Sequence, residues 1–325
     1  RAALALPAGW APAVDTAGMT ALPAALGPLS IGSDREDFGL GLVVTPSPRL
    51  RYDLDYRHTA RDGTGLARGA FLVQSAELPR ALDDRTERLD AGVSYLADDW
   101  QARLGYTGSL YSTDVAALRW QNAYQPVATG ATAGALALEP DNEAHQLSLA
   151  GQYRWGSSTR VTGSVAAGRM TQDENLLAFT LNPLLATPLP RSSADAEVDT
   201  LHADLRLSAR PVAGLQLRAG YTYDDRDNDT PVADWAYVVT DADPAALSRE
   251  NPVYGYTRQR FELAGDYRYA TGFSTGAGLG RVVMSRDQAE VSRTTEDEAW
   301  GRAQAPLGAA AWLRLKLSGA ARDAS

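Results

Sequence analysis

The residues from Leu50 to Tyr56 read Leu-Arg-Tyr-Asp-Leu-Asp-Tyr, and this two-residue alternation restricts the possible folds more than any other feature. Leu50, Tyr52, Leu54 and Tyr56 share one side of an extended backbone, while Arg51, Asp53 and Asp55, continued by Arg57, share the other. A helix would scatter these side chains around its circumference; a strand separates them. The pattern recurs. Leu89, Ala91, Val93 and Tyr95 oppose Arg88, Asp90, Gly92 and Ser94. Leu147, Leu149, Gly151 and Tyr153 oppose Gln146, Ser148, Gln152 and Arg154. Leu205 and Leu207 oppose Asp204 and Arg206, and Phe261, Leu263, Tyr267 and Tyr269 oppose Arg260, Glu262, Asp266 and Arg268.

Read this way, the sequence predicts about twelve strands, near 33–44, 49–60, 85–96, 100–112, 144–155, 159–171, 198–210, 214–226, 257–269, 273–286, 294–304 and 311–321. Many run to about ten residues or more, the length a tilted strand needs to cross a bilayer; strands of soluble proteins are usually about five or six. Short turns at Thr45–Pro48, Ala97–Asp99, Gly156–Ser158, Pro211–Ala213 and Ala270–Gly272 alternate with long polar loops near 61–84, 113–143, 172–197 and 227–256. Outer-membrane barrels have this asymmetry, with tight periplasmic turns and long extracellular loops. Aromatic residues gather beside the short turns, at Tyr95, Trp100, Tyr153, Trp155, Tyr267, Tyr269, Phe273 and Trp312, as an interfacial girdle requires. The expected fold is all-β: an antiparallel up-and-down transmembrane β-barrel in a Gram-negative-type cell outer membrane. Leu54, Leu104, Leu149, Leu205 and Leu263 are expected to face lipid.

Strand parity adds an expectation about completeness. The first strand ends in a short turn and the last one follows a short turn, which puts residues 1–30 and Ser325 on the extracellular side. Barrels of this type keep both termini in the periplasm, so residues 1–325 read as one partial barrel domain forming an open curved sheet. The sequence opens at Arg1 without an initiator methionine or signal peptide, so a targeting segment is expected outside it.

Composition removes several chemistries. With no cysteine, the chain has no disulfide framework, thiolate metal site or Cys-x-x-Cys-His haem attachment. Its three histidines, His58, His145 and His202, form no metal-ligand spacing. A net charge of −9 argues against nucleic acid. Asp224, Asp225, Asp227 and Asp229 alternate like oxygen ligands, but Arg226 sits among them and an EF-hand's glycine and distal glutamate are absent. Glu296, Asp297 and Glu298 form a second acidic run with nothing to position a catalytic pair. Gly276, Gly278 and Gly280 lack the strand-to-helix context of a phosphate loop and point to close approach or curvature. No nucleophile–base set is visible, so the chain reads as no enzyme, with no catalytic, cofactor or metal residues. What remains is the polar strand face: Arg51, Asp53, Asp55, Arg57, Arg88, Asp90, Arg103, Arg154, Asp204, Arg206, Arg218, Glu262, Asp266 and Arg268. It would either line water or meet a partner.

The segment Asn251-Pro-Val-Tyr-Gly-Tyr-Thr-Arg-Gln-Arg-Phe-Glu-Leu-Ala-Gly-Asp-Tyr-Arg-Tyr-Ala-Thr-Gly-Phe273 resembles the MtrB/PioB family of decahaem-associated outer-membrane proteins. So do Gly168-Arg-Met-Thr-Gln-Asp-Glu174, Leu189-Pro-Arg-Ser-Ser193, Tyr223-Asp-Asp-Arg-Asp-Asn228, Trp100-Gln-Ala-Arg-Leu-Gly-Tyr-Thr-Gly-Ser-Leu110, and Pro140-Asp-Asn142 with His145-Gln-Leu-Ser148. The resemblance runs from about Leu6 to the end and implies a barrel larger than twelve strands. It also implies a sheath role, in which the barrel encloses a periplasmic multihaem c-type cytochrome, holds no haem itself, and supports electron transfer across the membrane. An extracellular multihaem cytochrome is a further possible partner, and lipid the surrounding one. The other reading is a diffusion porin or substrate-specific channel.

Overall fold

The structure is a computed structural model that describes residues 4–71, 73–237, 245–270, 272–308 and 311–325. Its strands are β1 (Gly32–Ser47), β2 (Leu50–Phe71), β3 (Gln74–Leu96), β4 (Trp100–Thr113), β5 (Ala117–Gln121), β6 (Ala133–Ala137), β7 (Asn142–Trp155) and β8 (Thr159–Gln172). They continue with β9 (Ala196–Ala209), β10 (Leu215–Asn228), β11 (Asp234–Tyr237), β12 (Ala245–Glu250), β13 (Tyr256–Arg268), β14 (Ser274–Arg286), β15 (Arg293–Pro306) and β16 (Trp312–Ala324). Helix among the described residues is confined to a 3-10 turn at Thr16–Gly18 and one turn of α-helix at Leu22–Ala25.

Twelve strands form one antiparallel sheet in the order β1-β2-β3-β4-β7-β8-β9-β10-β13-β14-β15-β16, with β1 and β16 as its edges. Each neighbour in the sheet is the next long strand in sequence, the up-and-down order that the short turns predict. Thr271, within the expected Ala270–Gly272 turn, and residues 238–244 of the expected 227–256 loop lie outside the described residues.

The registers carry the alternation unbroken from strand to strand. Leu54 pairs with Ala91, which shares its face with Val93; Val93 pairs with Leu104, and Leu104 with Leu149. Leu205 pairs with Tyr221, Tyr221 with Phe261, and Leu263 with Leu279. One face is therefore a continuous apolar band, and none of the described residues covers it. Leu54, Leu104, Leu149, Leu205 and Leu263 are 41 to 58% exposed. Every buried hydrophobic residue among those described lies at the loop end or in the N-terminal segment; Met19, Phe71, Val115, Leu118 and Trp120 are examples. A bare apolar face of this extent does not persist in water, and an apolar band roughly 25 Å tall is what a barrel presents to lipid.

The loop end departs from expectation. Most of residues 61–84, expected as a polar loop, instead continue the strands, Leu72 lying outside the described residues: β2 and β3 stay paired from Leu50↔Tyr95 to Phe71↔Gln74. The reason is a small core built at the far end of this arm. Phe71, Leu78, Leu118, Trp120 and Ala131 form a buried cluster with Leu4, Ala67 and Ala76 against it. Trp120 lies close over Gly69 and Gly134, where any Cβ would collide with the indole, and meets Phe71 edge-on at 6.0 Å. The hairpin β5–β6 thus packs on the side of the arm continuous with the sheet's polar face. The N-terminal segment is stitched to it by Leu4 N–H donating to Arg119 O at 2.8 Å. Loops lock together beyond it: Asn182 Nδ2 donates to Thr129 O at 2.9 Å, and Phe179 meets Trp235 at 6.0 Å.

Two expectations follow. Leu205→Arg or Leu263→Arg should cost about 2–4 kcal/mol of unfolding free energy in lipid vesicles near mid-band, whereas Ser164→Arg on the polar face should leave it unchanged. Separately, Arg80 on the arm salt-bridges Glu139 beside β6. Partial burial works to raise the Glu139 carboxyl, but its backbone hydrogen bond and the Arg80 guanidinium outweigh this and hold it below the usual 4.5. A depressed carboxylate contributes stability above its unfolded pKa and loses it as pH falls through the folded value. The protection factor of the Leu138 amide in hydrogen exchange should therefore hold above about pH 4.5 and fall on further acidification, with Glu139→Gln removing that fall.

Candidate functional site: the polar face of the sheet

The polar face is the surface on which the sequence places its charge, and the registers test that placement. Asp53 pairs with Gly92, Asp55 with Asp90 and Arg57 with Arg88. Ser94 pairs with Arg103, and Arg154 with Arg160. Gly220 pairs with both Arg206 and Glu262, and Thr222 with Asp204. Following each pair across the sheet puts all fourteen predicted residues, from Arg51 to Arg268, on a single face. Two hollows lie on it: one of about 730 Å³ reaching from Arg51 on β2 to Asp204 on β9, and one of about 450 Å³ from Arg160 on β8 to Trp300 on β15.

Charges on this face are tied into a wall by arginines that reach over glycines. Arg103 on β4 crosses β3 and forks onto Asp53 on β2 with contacts of 2.5 and 2.6 Å. Its guanidinium lies where a Cβ of Gly92 would be. The device is repeated on the same face toward the other edge of the sheet. Arg302 on β15 crosses β14 over Gly276 to Asp266 on β13, at 2.6 and 3.0 Å. Asp266 also pairs with Arg218 from β10. Trp300 lies against Gly278 in the next row, with Arg302 5.5 Å over its ring. The alternating glycines of β14 thus permit close approach, as their spacing implied. Within strands, Arg88 pairs with Asp90 at 2.7 Å and Arg260 with Glu262 at 2.6 Å. Asp204 takes Arg206 and the Thr222 hydroxyl, both at 3.2 Å. Arg154 turns to the rim, donating to Asp98 O at 2.8 Å.

Other candidates separate. Asp224 is on the polar face against His202 at 2.6 Å, while Asp225 faces the other way and accepts from Thr257 at 2.6 Å. Asp297 pairs with Arg281 on the apolar-band face, opposite to Glu296 and Glu298. His145 lies on the apolar-band face with its ring nitrogen 2.8 Å from the Tyr106 hydroxyl. The girdle residues Tyr95 and Trp100 stack at 5.1 Å, but Trp312 pairs with Pro306 in the polar-face register and leaves the girdle, because strand parity overrides its nearness to a turn. Sequence reasoning missed Trp300; its pairing with Gly278, inside a run already marked by alternating glycines, was the available signal. It also missed a grouping of Glu197, Asp199 and Asp229 carboxylates within 4.8 Å of one another, where Arg169 reaches Glu197 at 2.9 Å and Asp199 at 2.7 Å.

Comparison with known proteins adds the family context. The family described as "Putative outer membrane beta-barrel porin, MtrB/PioB" matches residues 1–325. A curated relative, "Outer membrane protein MtrB" of Shewanella baltica, is 29% identical over 299 residues, covering 92% of this chain and 42% of the relative. The chain thus spans less than half of that relative's length. Among solved structures, the outer membrane transporter YddB from Escherichia coli overlaps 84% of this chain and 38% of its own, at 10% identity and a TM-score of 0.43. A loop-deletion form of OmpT from Vibrio cholerae overlaps 90% and 94% at 9% identity and a TM-score of 0.33.

The glycine-crossing contacts make a measurable claim. Gly92→Val must displace the Arg103 fork and should cost about 1–3 kcal/mol. Arg103→Gln, which removes only a half-exposed ion pair, should cost no more than about 1 kcal/mol. In the double variant the two losses should sum to less than their separate values, because the second change clears the space the first one needs. Urea titrations of the lipid-embedded protein measure all three.

Proposed function

The chain belongs to the MtrB/PioB family of outer-membrane β-barrel proteins, and from that premise we propose that its polar face sheathes a periplasmic multihaem c-type cytochrome and holds it for electron transfer across the outer membrane. The family is one of outer-membrane barrels and not a class of enzymes, and the protein resides in that membrane. The observation that carries the proposal is the wall itself. Its charges of both signs are cross-braced over glycines across one broad face. Interdigitated donors and acceptors of fixed position suit hydrogen bonding to a folded protein.

The division of labour follows from the residues each side contributes. The apolar band faces hydrocarbon and supplies a low-dielectric jacket. The polar wall orients the partner by its ion pairs, by the exposed amide of Gln146 and by the half-buried hydroxyls of Ser148 and Thr162 on the same face. The chain has no cysteine with which to attach a c-type haem, so the redox groups belong to the partner. At the loop end, the assembly of β5, β6, β11 and β12 with the β2–β3 arm is the surface available to an extracellular multihaem cytochrome.

Purification of the barrel from membranes that also hold a multihaem cytochrome tests this. Haem absorbance should accompany the barrel. Reversing Arg57, Arg154, Arg206 and Arg268 to glutamate should lower the haem-to-barrel ratio by more than about tenfold while the barrel still assembles. Equal haem in wild type and variant would return the polar face to a water-lined channel.

A further inference from the structure

We propose that the protein surface received by the polar face is acidic, rich in carboxylates that the wall's unpaired arginines fork. This rests on the sheath reading above and specifies the chemistry of its partner.

The chain as a whole carries −9, yet its charges are sorted by face. In the twelve strands of the sheet, positions in the polar-face register hold twenty Arg or Lys against eleven Asp or Glu. Positions in the opposite register hold five against thirteen. An acidic protein thus presents a basic wall. Pairing sharpens the contrast. Of the eleven carboxylates, all but Asp55, Glu296 and Glu298 already have an Arg or His partner within 4.0 Å. Half of the twenty cations have no carboxylate within that distance among the described residues. Arg51, Arg57, Arg160, Arg226, Arg258 and Arg268 are among them, drawn from β2, β8, β10 and β13. What is left unpaired among the described residues is therefore ten cations against three carboxylates.

Three features select a carboxylate-bearing protein as the occupant. The surplus spans the sheet from β2 to β13 and both of its ends, as an extended contact requires; a filter for small anions would gather it at one ring. All but Lys316 of the polar-face cations are arginine, whose planar fork matches carboxylate geometry and is weakly hydrated. An unneutralised basic wall repels itself, and a docked acidic surface removes that repulsion.

The experiment uses the barrel isolated from membranes together with its haem-bearing partner. Wild type is compared with a variant carrying Arg51→Gln, Arg160→Gln, Arg258→Gln and Arg268→Gln, and with one carrying lysine at the same four positions. Barrel assembly is checked by heat-modifiable migration. The expected result is that rising salt strips haem protein from the wild type. The glutamine variant should retain at least about tenfold less at low salt, and the lysine variant, which keeps the sign, most of it. If haem co-purifies but neither salt nor the glutamine variant changes its amount, the acidic-surface proposal fails while the sheath reading stands. If no haem protein accompanies the wild type, the sheath reading falls. An anion preference of the wild-type barrel in planar bilayers would then assign the wall to small anions and overturn the proposal in that way.

Discussion

An apolar sheet face with no protein against it is the constraint on which the rest of this structure depends. Each bare leucine or aromatic ring on that face, from Phe38 and Leu40 on β1 to Leu315 and Leu317 on β16, would lose roughly 1.5–3 kcal/mol of burial in water. Lipid removes that cost and imposes another. Backbone groups at membrane depth find no water, so every strand must pair on both sides. Among the described residues, the ten inner strands of the sheet meet this with long registers on both sides, β1 and β16 being its edges, and the same registers fix which residues turn away from lipid. The polar face is thus a consequence of the apolar one: once Leu54 and Leu104 face hydrocarbon, Asp53 and Arg103 must face the other way.

That second face is built differently from the first. Its side chains are long and charged, and in neighbouring rows they would crowd. Glycines at Gly92, Gly276 and Gly278 give the space back, and Arg103, Arg302 and Trp300 lie flat in it. Side chains held down in this way make a surface of fixed donors and acceptors, in place of a brush of mobile charges. The same economy operates at the loop end, where Gly69 and Gly134 let Trp120 join the arm to the β5–β6 hairpin.

Much of this was legible in the sequence because a period of two leaves little freedom. Once Leu50 to Tyr56 is read as a strand, the face of every later residue follows by parity, and the fourteen polar-face residues fell together for that reason. The twelve strands of the sheet emerged at nearly the predicted positions, apart from the extension of β2 and β3, whereas β5, β6, β11 and β12 lie inside expected loops. What parity could not supply was any contact between segments distant in sequence. Residues 61–84 are polar enough to read as a loop; only Trp120, far along the chain from the Gly69 and Phe71 it contacts, reveals that the strands continue. Trp312 shows the opposite error, where nearness to a turn suggested the girdle and parity contradicted it. The sign of the wall was also hidden. Interspersed Arg and Asp look balanced along one strand, and the excess emerges only when the faces of twelve strands are summed and their ion pairs removed.

The central claim is that alternate residues of each strand meet lipid on one side and a protein partner on the other. Residues 1–325 hold no cysteine, so an introduced one is the only thiol among them. The most direct measurement places one cysteine at a time along β13 from Thr257 to Tyr267 and follows labelling by a water-soluble thiol reagent, with and without the haem-bearing partner. Phe261, Leu263 and Gly265 should resist the reagent in both states and respond to a lipid-borne quencher instead. Arg260, Glu262 and Ala264 should label in the emptied barrel and become protected when the partner is present. Labelling of Arg260, Glu262 and Ala264 at the same rate in both states would contradict the account, because the polar face would then line water and receive no protein.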